Sequence, residues 1–362
     1  MLGNARPRVS LVLTVKNEAA TLPALLASIA DQTVLPDEVV IVDGGSTDDT
    51  LAILERWRDR LPLVIDVFPG ASISQGRNRA LALARGDIVA VTDGGVVLAP
   101  DWLERLVAPF TAPPAEQPDV VAGVFRPAPQ TLFEHALAAV TLPDPEEIRA
   151  EGFLPSSRSV AYRRSWFLAG VRYPEWLDYC EDVVFDLRLK RAGARFQLAR
   201  DAVVAYRPRT SLSAFWWQYW HYARGDGKAG LFTLRHLIRY AVYGSVGPVL
   251  IWGRHPVVRL AVFLAALSYL RRPWQRLWRR RSALRPRERM LAALLVPVLR
   301  AVGDVAKMAG YPVGVWWRIR RYGLRRTWRT IPEIAPGDQY LPDATVQRST
   351  IPRAGEARPA GP

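Results

Sequence analysis

A chain of 362 residues with 49 Lys+Arg against 34 Asp+Glu carries a net charge of +15, and it is long enough for a large core and more than one structural unit. Its one cysteine, Cys180, excludes an intrachain disulfide and any cysteine-based zinc site. The charge is unevenly split, with 21 basic and 27 acidic residues in 1–205 against 28 and 7 in 206–362, where 9 of the 13 tryptophans also lie. Arg mixed with Trp and Leu points to an anionic bilayer surface rather than nucleic acid, for which no binding motif is present.

The N-terminus runs directly into a strand, Val9 to Val15, without the basic and apolar regions of a signal peptide. The first half is therefore expected on the cytosolic side. Lys16-Asn17-Glu18 follows, then a helical pattern through Leu22, Leu25, Leu26 and Ile29. A second strand, Val39 to Val42, is wholly β-branched and ends in Asp43-Gly44-Gly45. Ser46, Thr47, Asp48 and Asp49 are candidate N-caps for a helix through Leu51, Leu54 and Trp57. An acid at the carboxyl end of a parallel strand faces the crevice where open α/β sheets bind ligands. Asp-Gly is also an ordinary turn, so Asp43 has a structural reading beside the functional one.

Leu63 to Phe68 reads as a third strand. Residues 70–79 read as a lead into a helix over Ala80 to Ala84, and Ile88 to Val91 as a buried strand closing in Asp93-Gly94-Gly95. Pro100-Asp101-Trp102-Leu103 opens another helix. Further on, Val120 to Phe125 and Ser159 to Arg164 read as strands, Leu132 to Val140 as a helix, and Asp178 to Arg191 as a helix ended by Gly193. Phe196 to Val204 closes this unit with a strand or two. The alternation of strands and helices argues for a doubly wound α/β sheet.

From Ser211 the character changes. Phe215 to Arg224 is an aromatic helix, followed by apolar stretches over Leu237 to Trp252, Val257 to Leu270 and Met290 to Val302. Each is short or interrupted by arginine, whereas a spanning helix needs about 20 apolar residues. They are expected either as a hairpin turning at His255-Pro256 or as helices lying in the membrane interface. The boundaries implied are 1–210 for the α/β domain, 211–337 for a membrane-associated helical region, and 338–362 for a disordered tail rich in Pro, Gly and Arg.

The run Val9–Glu18, then Pro36-Asp37-Glu38 and the strand into Asp43, resembles the opening of an inverting family 2 glycosyltransferase of the GT-A fold. The likeness extends over roughly residues 8 to 205. It implies transfer of a sugar from a nucleoside diphosphate sugar to a lipid-linked or polysaccharide acceptor by single displacement. Such a reaction needs a base for the acceptor hydroxyl and stabilisation of the departing diphosphate. The likeness places the base at Asp182, with Glu181 orienting the acceptor or a cation, although paired acids also suit a helix N-terminus. It places nucleotide-sugar contacts at Thr14, Glu18, Asp43, Arg77 and Asp93, and it implies a divalent cation, Mg²⁺ or Mn²⁺, on Asp93. Here Gly95 stands where the family has a second acid, which leaves open a catalytically impaired scaffold acting as a membrane-bound binding protein. Gln218 to Arg224 loosely resembles the Gln-x-x-Arg-Trp motif of membrane-linked members, with His221 at the arginine position and Arg224 as the substitute charge. The expected location is the cytoplasmic face of the cell membrane, with no nucleic-acid partner. Dinucleotide binding is disfavoured because the first turn has no Gly-x-Gly-x-x-Gly.

Overall fold

In the computed structural model, which describes residues 6–252, 255–331 and 347–348, the β-branched runs form the centre of a mixed sheet. Four strands lie parallel and adjacent in the order β3-β2-β1-β4: β1 (Val9–Val15), β2 (Glu38–Asp43), β3 (Leu63–Val67) and β4 (Ile88–Val91). Beyond β4, β7 (Val160–Arg163) runs antiparallel between β4 and β6 (Val120–Pro127). The edge is completed by β8 (Phe196–Tyr206), parallel to β6, and β5 (Val96–Leu98), antiparallel to β8.

Alternate residues of each central strand feed opposite faces, as the two-residue period of a strand requires. Leu11, Leu13, Val39 and Ile41 pack with α1 (Leu22–Ala30), α2 (Thr50–Arg56) and α4 (Trp102–Val107). Val12, Val40, Val42 and Val89 pack on the other side with α3 (Ile73–Leu83) and α7 (Glu181–Arg191). The sheet is thereby covered on both faces, and the carboxyl ends of β1, β2 and β4 open together at one edge.

Several boundaries differ from the sequence expectation. α3 begins at Ile73, seven residues before the expected Ala80, because Ser72 and Gln75 form a reciprocal capping box. The polar residues that concealed it, Arg77, Asn78 and Arg79, are all buried and each has a partner. β5 was not expected, and β8 is one strand of 11 residues. The tail expected to be disordered lies outside the described residues except for Gln347–Arg348, a two-residue strand (β9) paired antiparallel to β3.

The second half is helical: α8 (Leu212–Ala229), α9 (Thr233–Trp252), α10 (Pro256–Arg279) and α11 (Pro286–Tyr322). α11 has 37 residues, far beyond the apolar stretch ending at Val302. Its continuation is held by contact with α8 at backbone range: a Cβ on Gly314 would lie 2.0 Å from the Arg224 carbonyl oxygen, and one on Gly310 would lie 2.2 Å from that of Trp220. α10 is tied to the α/β domain by Arg276 to Glu147 (2.9 Å) and Arg279 to Asp144 (3.1 Å). Phe215, Leu277, Val296 and Leu299 pack under α5 (Leu132–Thr141) in a separate apolar cluster. Among the described residues, no helix is long and apolar enough to cross a membrane.

Candidate active site

A cleft of about 780 Å³ lies where α7 meets the C-terminal helices, and its lining includes Arg77, Asp93, Arg158, Glu181, Asp182, Tyr222, Arg235, Arg239 and Lys307. Its size is in the range of sites for small organic ligands. An open depression of similar volume on α10, lined by Leu267, Trp274 and Trp278, contains no carboxylate.

Arg77 organises the acidic side of this cleft. Its buried guanidinium donates through Nη2 to Asp93 Oδ1 at 2.6 Å and through Nη1 to Glu181 Oε1. One planar fork thus joins the end of β4 to the start of α7. Arg158 adds a second positive charge, with Nε 3.9 Å from Asp93 Oδ2 and the guanidinium 4.4 Å above the Tyr206 ring.

The two acids opening α7 have different surroundings. Glu181 is buried and committed to Arg77. Burial pushes its carboxyl up to about 7, against the pull of Arg77, with the Asp182 charge adding to the rise. Asp182 is half-buried and lines the cleft, and its Oδ1 accepts from the Val183 amide at 2.8 Å. Asp182 thus keeps a carboxylate partly open to the cleft, while Glu181 is tied to Arg77 at the helix start. One turn further on, Asp186 is buried with Oδ2 unpartnered, and burial followed by the Asp182 charge pushes its carboxyl well up.

Cys180, just before these acids, adopts the left-handed conformation at φ 63°. Its turn presses on α8, where a Cβ on Gly225 would lie 2.6 Å from the Tyr179 oxygen and 3.0 Å from Cys180 Sγ. Burial pushes the Cys180 thiol well up, aided by the nearby charges of Asp226, Asp182 and Glu181, so it stays protonated and is no nucleophile.

Thr14, Glu18 and Asp43 lie at or just beyond the ends of β1 and β2 and Arg224 lies on α8, all four outside the cleft lining. Asp43 Oδ2 accepts from the amides of Gly45 (3.0 Å) and Ser46 (2.8 Å), and Oδ1 accepts from the Ser46 hydroxyl. Its carboxylate is engaged in the turn that follows it, the structural reading of Asp-Gly. Thr14 packs its methyl under the first turn of α3, where a Cβ on Gly76 would come within 2.8 Å. Glu18 reaches across to the turn after Asp93, close enough that a Cβ on Gly94 would meet its carboxyl at 3.0 Å. Arg224 is bound to Asp178 rather than directed into the cleft.

Sequence reasoning missed Arg158, Arg209, Arg235, Arg239 and Lys307, all in the lining. Arg209, Arg235 and Arg239 stand among other arginines that give no local signal, Lys307 lies within the long helix α11, and Arg158 lies in a loop. No group of three or more potential metal ligands occurs among the described residues. Asp93 is thus the one cleft carboxylate at the expected metal position, and its two oxygens already face guanidinium groups. These residues fit a cation only as one protein ligand completed by substrate phosphates and water, an arrangement common for Mg²⁺.

Comparison with known proteins agrees with this architecture. Residues 10–151 match the profile of Glycosyl transferase family 2. The chain is 29% identical over 279 residues, 71% of its own length and 82% of the relative's, to the succinoglycan biosynthesis protein ExoA of Rhizobium meliloti (strain 1021). It is 23% identical over 228 residues to the O-antigen chain rhamnosyltransferase RfbN of Salmonella typhimurium, covering 58% and 70% of the two chains. The fold is also that of the mannosyltransferase PcManGT of Pyrobaculum calidifontis, solved with GDP-Man and Mn²⁺, at TM-score 0.50, 19% identity and 88% coverage of each chain. With strand-end acids, an Arg77-bridged cleft and a matching N-terminal segment in hand, residues 10–151 are identified as a Glycosyl transferase family 2 domain, carried on the GT-A fold.

Proposed function

We propose that this enzyme moves one sugar, with inversion, from a nucleoside diphosphate sugar to a hydroxyl of a lipid-linked acceptor at the cytoplasmic face of a membrane. The observation that carries the reading is the single cleft lined by both Asp93 and Asp182, with Arg77 fixing their supports. Asp182 takes the proton of the acceptor hydroxyl as its oxygen attacks the anomeric carbon. The bond to the diphosphate breaks on the opposite side, and the diphosphate leaves with the electron pair. Arg158 and Arg209, both in the lining, are available to balance the charge that develops there. A divalent cation held by Asp93 and the donor phosphates would neutralise the same charge when bound.

Membrane attachment is supported by an outer surface that the described residues leave exposed. α9 exposes Leu237 and Ile238, α10 exposes Phe263 and Leu264, and α11 exposes Leu291 and Leu294. Arg259, Arg271 and Arg272 accompany them on α10. Apolar residues rimmed by arginine suit the interface of an anionic bilayer, with helices lying in its plane.

The test is Asp182→Asn in a turnover assay with membrane extract and a panel of nucleotide sugars. Turnover is expected to fall about 10²- to 10⁴-fold, the range for losing a general base, while nucleotide affinity and melting temperature are retained. Full turnover in this variant would remove Asp182 from the mechanism.

A further inference from the structure

The cleft has a second, basic side that sugar transfer by Asp182 does not explain. Arg235 and Arg239 from α9 and Lys307 from α11 line it together with His236. We infer that Arg235, Arg239 and Lys307 form a subsite for the phosphate group through which a lipid carries the acceptor, separate from the region that holds the donor diphosphate. This inference rests on the transferase reading above and specifies its acceptor class.

The protein leaves several positive charges here without a full complement of partners. Lys307 has no hydrogen-bond or ion-pair partner among the described residues, and its ammonium sits 4.5 Å over the Tyr219 ring. Arg235 likewise has no carboxylate partner and lies 4.8 Å over the Phe232 ring. Arg239 is held by Asp304 Oδ1 at 2.9 Å. Asp304 also accepts from the hydroxyls of Tyr243 (3.1 Å) and Tyr269 (2.6 Å), and Arg300 stands 3.8 Å away. Asp226, in the same lining, is the other carboxylate near Lys307, so two carboxylates stand among the four cations Arg235, Arg239, Arg300 and Lys307. An unmatched cluster of positive charge in a partly enclosed cleft favours an anionic ligand.

This cluster and the Asp93 side of the cleft are braced by different hydrogen-bond chains. Arg239 Nη1 can only donate, so its 3.2 Å contact makes His236 Nδ1 an acceptor and leaves the ring proton on Nε2, directed at Asp226 Oδ2 (3.0 Å). Asp226 in turn accepts from Cys180 Sγ at 3.5 Å. The basic groups thus join the start of α7 through Asp226 and Cys180, whereas Asp93 joins it through Arg77 and Glu181. The helix that bears Arg235 and Arg239 also exposes Leu234, Leu237, Ile238 and Val242. A phosphate held by the arginines would leave an attached hydrocarbon chain beside this apolar surface, which favours a lipid phosphate over a free one.

The test is titration of the full chain with n-dodecyl phosphate, inorganic phosphate and the uncharged detergent dodecyl maltoside, alongside UDP, GDP and dTDP. Wild type is expected to bind dodecyl phosphate at least tenfold more tightly than either inorganic phosphate or the maltoside. Arg235→Gln with Lys307→Gln should lose at least tenfold in dodecyl phosphate affinity and keep its nucleotide affinity, and Lys307→Arg should retain both. The melting temperature of each variant reports folding. Unchanged dodecyl phosphate affinity in the double variant overturns the inference, as does equal affinity for inorganic phosphate in wild type. A parallel loss of nucleotide affinity assigns these cations to the donor and also overturns it. Failure of every nucleotide to bind wild type counts against the transferase reading, whereas the dodecyl phosphate comparison still decides the subsite.

Discussion

Replacing Glu181 by Gln isolates the energetic consequence of burying an acid beside Asp182. The Glu181 carboxyl has an ordinary value of 4.5 and is raised by burial to about 7 in the fold. The folded state therefore keeps a proton that the unfolded chain releases between these limits, and stability falls as pH rises through that window. At 1.36 kcal/mol per unit, the loss attributable to Glu181 between pH 5 and pH 8 is about 2 to 3 kcal/mol. Glu181→Gln cannot ionise, and its side-chain oxygen can still accept from Arg77. Urea unfolding of both proteins across this range should show wild type losing about 2 to 3 kcal/mol more than the variant. Curves that fall in parallel would refute the reasoning, since they would mean that Glu181 ionises in the fold as it does in the unfolded chain. The same variant should retain turnover within about tenfold, because an orienting acid contributes less than the base itself. Loss of turnover here combined with activity in Asp182→Asn would exchange the two roles.

Gly225→Ala places a methyl 2.6 Å from the Tyr179 oxygen. The shift forced on the turn before Glu181 should lower turnover by about 10²-fold and stability by about 1–3 kcal/mol, read by initial rates and urea unfolding. Asp93→Asn should weaken activation by Mg²⁺ or Mn²⁺ in a chelator-and-readdition assay, and an unchanged metal dependence would place the cation elsewhere. Phe263→Glu with Leu264→Glu should reduce co-sedimentation with anionic vesicles while leaving nucleotide binding unchanged. Equal sedimentation would exclude this part of α10 from the membrane contact.

Much of the α/β half was legible because each signal was local. The buried run Val39–Val42 has one stable use, as an interior strand, and its register beside β1 brings Val15 level with Asp43. The start of α3 was less visible because Arg77, Asn78 and Arg79 look like a solvated segment. Their burial depends on Glu181, Tyr173 and Asp66, which lie elsewhere in the chain. The extent of α11 was hidden for a related reason: its glycines lower helix propensity, and only the α8 backbone opposite them makes that lack of side chain favourable.

By itself the sequence determined the alternating strands and helices, the acids at their ends and the concentration of Arg and Trp in the second half. These follow from periodicity, turn chemistry and composition, each of which acts over a few residues. The tertiary structure alone decided that Glu181 is buried while Asp182 stays half-buried, that Arg77 is engaged by Asp93 and Glu181, and that α9 and α11 bring basic groups into the same cleft. Burial and charge pairing depend on groups far apart along the chain, so the ionisation of Glu181 became readable only when its neighbours were in place.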